Sequence, residues 1–163
     1  MDNFIRLNYQ FDIDLLKQEV YNLINTVSTG PKGQINLTHP KDNDNWFIGT
    51  GPLIANKNFT EFNKFLNGQY LETVYNSLCK DYSIGRVRIM VLPGGRCFSY
   101  HSDTTKRIHI PVETNEQCMM VIENELKHMP ADGGAWLTNT TKPHTAFNGN
   151  VTFERIHLLF DLL

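Results

Sequence analysis

The stretch Gly85-Arg-Val-Arg-Ile-Met-Val-Leu-Pro-Gly-Gly95 is where the character of the chain changes. Residues 86–92 alternate well enough for a β-strand, and Pro93-Gly94-Gly95 closes it with a turn. Before it the apolar spacing is helical. Leu15, Leu16, Val20, Leu23, Ile24 and Val27 form one stripe over residues 12–27, with Asp12 as N-cap. Residues 28–58 are rich in Gly, Pro, Asn and Asp and read as irregular loop, anchored by Trp46, Phe47 and Ile48. A second helix is predicted from Thr60 to Leu66. A third follows Asn67-Gly68 through Tyr70, Leu71, Val74, Tyr75 and Leu78.

After residue 95 the pattern stays strand-like. Strands are predicted near 97–102, 106–112, 117–123, 134–139, 143–147 and 151–162. Short strands between turns suggest a sandwich or barrel, and helices preceding strands suggest helices packed on one sheet. The 163 residues suit one domain, 1–163, with a helical and loop part over 1–84 and a β core over 85–163.

Composition narrows the function. Hydrophobic residues make up 40% and charged residues 20%, with a net charge of −2, which fits a globular chain and offers no basic surface for nucleic acid. No apolar run reaches the ~18 residues of a membrane span. The first residues, MDNFIRLNYQFD, lack the basic and apolar regions of a secretory signal. Cys79, Cys97 and Cys118 form an odd set without CxxC spacing, so they read as reduced thiols of a cytoplasmic protein, with Cys97 and Cys118 as small buried apolar residues. The N-x-S/T sequons at Asn36, Asn58, Asn139 and Asn150 read as chance occurrences in an Asn-rich chain.

Chemistry concentrates in Tyr100-His101-Ser102-Asp103. On an extended strand His101 and Asp103 share a face. His144, on a separate predicted strand, supplies a third ligand. Two histidines and one carboxylate are the facial triad of non-haem Fe(II) oxygenases, which leaves open positions for a co-substrate and dioxygen. An HxD in a strand is common without a metal, so the spacing alone makes this one of two readings.

Asn148-Gly149 is a strong hairpin turn signal. In a two-residue hairpin Arg155 would be a diagonal neighbour of His144, at roughly 7–8 Å, where its planar fork could clamp a carboxylate. The competing reading is an edge-strand Arg paired with an acid such as Glu154. Arg107 and His109 alternate and could face the same interior as His101 and Asp103, or could mark an ordinary polar strand end. His39, His128 and His157 read as bystanders.

The string Tyr100-His101-Ser-Asp103, Arg107-Ile-His109, Trp136-Leu-Thr-Asn139, His144-Thr-Ala-Phe-Asn148 and Arg155-Ile-His-Leu-Leu-Phe-Asp161 resembles the aspartyl/asparaginyl β-hydroxylase family over residues 85–163. The resemblance implies a mainly β fold with N-terminal helices: a cupin-like, jelly-roll double-stranded β-helix with helices packed on one sheet. There the turn at Asn148-Gly149 becomes a corner between facing sheets instead of a hairpin. It implies Fe(II) held by His101, Asp103 and His144, with 2-oxoglutarate as co-substrate, dioxygen as oxidant and ascorbate as reductant. Arg155 would pair with the distal carboxylate of 2-oxoglutarate, and Arg107 and His109 would contact the co-substrate. The animal aspartyl hydroxylases carry glycine where this chain has Asp103, whereas members that hydroxylate free proline keep the acid. The implied reaction is hydroxylation of an amino acid, free or within a peptide or protein, with loop 28–58 as lid or substrate wall. A cupin-type metal enzyme that does not use 2-oxoglutarate and a non-catalytic ligand-binding jelly roll are the alternatives. Neither oligomeric state nor a further partner is legible.

Overall fold

A computed structural model describes residues 2–30, 33–50 and 54–163. Its strands are β1 (Phe4–Gln10), β2 (Gln34–Asn36), β3 (Thr38–His39), β4 (Glu61–Phe62), β5 (Ile84–Leu92), β6 (Arg96–Cys97), β7 (Arg107–Glu113), β8 (Cys118–Ile122), β9 (Glu125–Lys127), β10 (Gly134–Thr138), β11 (His144–Asn148) and β12 (Arg155–Leu162). Two α-helices, α1 (Ile13–Val27) and α2 (Tyr70–Cys79), precede β5. The chain is mainly β, with its helices on one sheet, as the sequence leads one to expect.

The larger sheet has the order β1-β10-β7-β12-β5-β2 and the smaller one β6-β11-β8-β9, while β3 and β4 form a separate ribbon. All pairings are antiparallel. The first 84 residues are therefore more than helix and loop, because β1 and β2 form the two edges of the larger sheet. The predicted helix from Thr60 to Leu66 is absent. Glu61–Phe62 pairs instead with Thr38–His39, and a single 3-10 turn over Lys64–Leu66 is capped by the Asn63 side chain. Seven residues are too few for periodicity to separate a helix from an apolar ribbon.

Period-two alternation sorts the larger sheet into two unlike faces. Val87, Ile89 and Val91 of β5, Ile108, Ile110 and Val112 of β7, and Ile156, Leu158 and Phe160 of β12 are all buried and share one cluster with α1 and α2. The helices contribute Leu16, Val20 and Leu23, and Leu71, Val74 and Leu78. Fully burying each such side chain is worth about 1.5–3 kcal/mol of transfer free energy. Asp12 caps α1 by accepting from the backbone N–H of Asp14 and of Leu15, at 3.0 and 3.1 Å. α2 lacks a side-chain cap of its own; Glu19 of α1 accepts from its Tyr70 and Leu71 N–H groups at 2.6 and 2.7 Å. The two helices are thereby fixed to one another as well as to the sheet.

A smaller cluster of Phe4, Met120, Ile122, Met129, Trp136 and Ala146 fills one end of the space between the sheets. Beside it a cavity is lined by residues of both sheets.

Candidate metal centre

The cavity measures about 690 Å³ and lies against the second face of the larger sheet. That face carries the odd partners of the apolar alternation: Arg88, Arg107, His109, Arg155, His157 and Asp161. The first four line the cavity. His101 and His144 line its opposite wall, from the side of the smaller sheet.

His101 and His144 form a single antiparallel rung, exchanging backbone bonds of 3.0 and 2.8 Å. Each ring donates from Nδ1 to a carbonyl two residues back: His101 to Ser99 at 2.6 Å and His144 to Lys142 at 2.9 Å. Those bonds fix the Nδ1–H tautomer and turn both Nε2 lone pairs toward Asp103. His101 Nε2 stands 3.7 Å from Asp103 Oδ1, and His144 Nε2 stands 3.2 Å from Oδ2. One ligating atom from each of the three residues falls within 4.8 Å of the others. Neighbouring donors about 3 Å apart are what right-angled coordination at bonds of about 2.1 Å requires.

Asp103 is held by its backbone N–H, which donates to Thr140 O at 2.8 Å. Burial alone would raise its pKa. The nearness of His144 first, then the charge of Arg107 and the nearness of His101, outweigh burial and hold the carboxyl below its ordinary value. Arg107 Nη1 is 2.7 Å from Asp103 Oδ2, yet no well-aligned hydrogen bond reaches that buried oxygen. An ionised carboxylate with a poorly satisfied buried oxygen, beside two imidazole lone pairs, fits a divalent cation of the kind bound by mixed nitrogen and oxygen ligands.

Three guanidinium groups line the cavity, and their partners differ. Arg88 pairs with Asp161 through both carboxylate oxygens. Arg107 spans Asp103 and Asp161, with Nε 2.6 Å from Asp161 Oδ1. Arg155 is 2% exposed and has no carboxylate partner among the described residues; its Nη2 lies 3.1 Å from His157 Nδ1. Burial pushes its pKa down to about 10, so it remains a cation at neutral pH. Because Arg155 can only donate, His157 Nδ1 accepts and the proton of that ring sits on Nε2. His109 Nδ1, 3.3 Å from His157 Nδ1, is then the donor, which leaves its own Nε2 as a bare acceptor. Burial first, and Arg155 second, drives both histidines well below their ordinary pKa, so both are neutral.

Of the sequence-derived candidates, His101, Arg107, His109, His144 and Arg155 line one cavity and Asp103 stands beside the two histidines, with changes of detail. β11 and β12 belong to different sheets, so Asn148-Gly149 is the sheet-crossing corner and no hairpin forms. Arg155 is buried at that corner, and Glu154 does not pair with it. Arg107 lines the cavity but is engaged by two carboxylates. His157, read as a bystander, touches Arg155, and neither Asp161 nor Arg88 had been given a role. Simple alternation from Arg155 through His157 and Leu159 to Asp161 would have placed these on one face. Cys118 is buried, whereas Cys97 is exposed on the two-residue strand β6 at the cavity edge. Trp46 and Phe47 do not line the cavity. They border a separate depression with His39 and Phe65, and Trp46 meets Phe65 edge-on at 5.8 Å. The part of the loop that reaches the metal-side cavity is Thr29, Gly33 and Gln34.

A family profile described as aspartyl/asparaginyl beta-hydroxylase matches residues 11–163. Among solved structures, the viral collagen prolyl hydroxylase vCPH from Paramecium bursaria Chlorella virus-1, in its 2OG complex, has a TM-score of 0.60 at 10% identity over 98% of this chain and 95% of its own. EctD from S. alaskensis with bound Fe has a TM-score of 0.54 at 17% identity over 98% of this chain and 72% of its own. DMSP lyase DddQ from Ruegeria pomeroyi DSS-3 overlaps only 51% of this chain and 40% of its own length, at 12% identity and a TM-score of 0.41. At such identities the first two likenesses are of fold, and the fold is that of cupin-like, jelly-roll enzymes. No helix among the described residues is long and apolar enough to cross a membrane.

Proposed function

The chain belongs to the aspartyl/asparaginyl β-hydroxylase family, and from that premise we propose that it is an Fe(II)- and 2-oxoglutarate-dependent dioxygenase that hydroxylates an amino acid, free or within a peptide or protein. The observation that carries this reading is a pairing within one cavity. Three candidate ligating atoms converge at the wall that His101 and His144 line, and a buried guanidinium with no acid partner among the described residues lies in the other.

His101, Asp103 and His144 hold the iron. When bound with 2-oxoglutarate and dioxygen, iron supplies the oxidation that converts a substrate C–H into C–OH as the co-substrate becomes succinate and carbon dioxide. The protein supplies placement. Ser99 O and Lys142 O hold both imidazoles in the ligating tautomer. Arg155 takes the distal carboxylate of 2-oxoglutarate, and a desolvated cation meeting an anion in two parallel hydrogen bonds fixes the long axis of the co-substrate. His109 and His157, both neutral, leave that cation as the dominant charge at its end of the cavity. Met90, Leu92, Met120 and Leu159 give the cavity an apolar lining that lowers the local dielectric and strengthens the clamp.

Iron-reconstituted protein with ascorbate is expected to release succinate from 2-oxoglutarate, with coupled gain of one oxygen by a member of a panel of free amino acids and short peptides, read by mass spectrometry. Absence of succinate with every panel member would overturn the reading. A succinate-negative protein that still oxidises a substrate in an Arg155→Met background would favour a cupin-type metal enzyme without 2-oxoglutarate.

A further inference from the structure

Two sheet edges border the cavity. β2 ends the larger sheet and β6 ends the smaller one, and Gln34 of β2 and Arg96 and Cys97 of β6 all line it. On β6 the edge is open. Phe98 N–H donates to Ala146 O at 3.0 Å, so these two are a hydrogen-bonded pair, and Cys97, in register with Phe147, is not. The Cys97 N–H and C=O therefore point away from β11, and no group among the described residues meets them. Alternation sets the side chains. Arg96 is in register with Asn148, and Ala146 and Asn148 lie on the buried face of β11. Arg96 and Phe98 thus sit on the cavity side of β6, and Cys97 sits on its outer side. Three residues past Phe98 stands the His101 side chain, 40% exposed. Arg96 is exposed and has no carboxylate partner among the described residues.

We propose that the substrate is an extended segment of a peptide or protein that pairs with β6 as a further strand of the smaller sheet, and that it carries an acidic side chain two residues after the one that is hydroxylated. This rests on the proposed dioxygenase reading and narrows its substrate from amino acids in general to segments of chain. A strand laid antiparallel on β6 exchanges two backbone hydrogen bonds with Cys97 through one of its residues. The side chain of that residue points away from the cavity, as Cys97 does, and the side chains of its two neighbours point in. The neighbour opposite Phe98 lies on the His101 side and is the one presented to the ligand set. The neighbour opposite Arg96 comes two residues later in the substrate. There the unpartnered guanidinium favours Asp or Glu, whose carboxylate matches its planar fork. A free amino acid cannot use this edge, because a residue bonded to Cys97 directs its own side chain away from the cavity.

The test uses the full chain with Fe(II), 2-oxoglutarate and ascorbate. The probes are capped heptapeptides of alanine with each natural amino acid in turn at the third residue and aspartate at the fifth, beside the same amino acids free. Oxygen gain is expected at the third residue of one or more peptides, with the corresponding free amino acids unreacted. N-methylation of the fourth residue, the one bonded to Cys97, should raise peptide KM by about 3- to 10-fold, the range for net loss of a hydrogen bond. The same methyl on the fifth residue, whose N–H points away from β6, should change KM by less than about twofold. Lysine in place of the aspartate should raise KM by about threefold or more, and Arg96→Glu should reverse that preference. Anisotropy of a fluorescein-labelled peptide on the Co(II)-loaded protein should give the same order of binding. Cys97→Pro removes the outward donor at an edge position where a strand tolerates proline, and should weaken every peptide alike. Should that variant unfold, the N-methyl series carries the test on the unaltered protein. Succinate formation without oxygen gain by any capped peptide, oxygen gain by free amino acids alone, or equal effects of the two methyl positions would overturn the strand pairing and leave the dioxygenase reading standing. No succinate with any probe would overturn both.

Discussion

The two faces of the larger sheet are made by the same strands, yet they do opposite work. Toward the helices, Val87, Ile89, Ile108, Ile110, Leu158 and Phe160 are wholly buried among apolar neighbours. Toward the cavity, the residues between them are Arg88, His109, His157 and Asp161, which are just as buried but carry charge or polar nitrogen. The backbone ladder is common to both, so the difference lies in the side chains alone. One face yields free energy by leaving water. The other costs free energy by leaving water, and is stable only because ionic partners answer each other and because the apolar face holds the strands in register. Stability and chemistry are separated by a single step along the chain.

The largest expected effect tests that separation on the apolar side. Phe160→Ala should lose about 3–5 kcal/mol in a urea or guanidinium melt. Leu159→Ala, one position earlier and facing an existing cavity, should lose clearly less, and equal losses would break the contrast. Next, Arg155→Met should cut 2-oxoglutarate affinity by about 30-fold or more, since truncating one partner of a desolvated ion pair costs roughly 2–5 kcal/mol. Its melting temperature should be unchanged or higher, because the buried cation has no acid partner among the described residues to lose. Unchanged co-substrate affinity, read by KM or calorimetry, would remove Arg155 from the clamp.

The third effect concerns protons. His109 and His157 titrate well below their ordinary value in the folded chain, through burial and then the charge of Arg155. As pH falls below about 6.5 the unfolded chain takes up protons that the folded chain refuses. The stability they contribute is therefore full above that pH and is lost below it, at up to about 1.4 kcal/mol per pH unit for each histidine. Chemical melts of the metal-free protein between pH 7 and 5 should show this slope, and His157→Gln should reduce it by about half. A flat profile would contradict neutral burial. The smallest effect should come from Asp12→Ala, which uncaps α1 behind the apolar face. A loss of about 1 kcal/mol with unaltered metal affinity is expected.

How much of this was legible depended on whether a local period carried it. From Ile84 onward β5, β7, β8, β10, β11 and β12 were readable because each spans five residues or more, whereas β9, of three residues, was not read and the strand expected near 97–102 is only the two-residue β6. The triad was readable because HxD is local and His144 follows in the family order. β1 was not read, although Ile5, Leu7 and Tyr9 alternate with Arg6, Asn8 and Gln10; its partner β10 lies over a hundred residues away, and short alternation near a chain start is a weak signal. The pairing of Arg107 with Asp161 was out of reach for another reason. It depends on which strands become neighbours across the sheet, and sequence spacing does not report that. The exposure of Cys97 depended similarly on β6 being a two-residue edge strand, where a small apolar residue has nothing above it.

The rung that joins His101 to His144 has a consequence for exchange of the metal. The two proposed ligands are locked in one backbone pair, so capture of an ion would need no rearrangement of the chain at that rung. They are unequally sheltered: the His101 side chain is 40% exposed and that of His144 is 4%. His101 is thus the solvent-facing member of the pair. In the proposed site an ion would leave by shedding His101 first while His144 and Asp103 still held it, and the open side of the rung would be where a chelator or a competing metal approached.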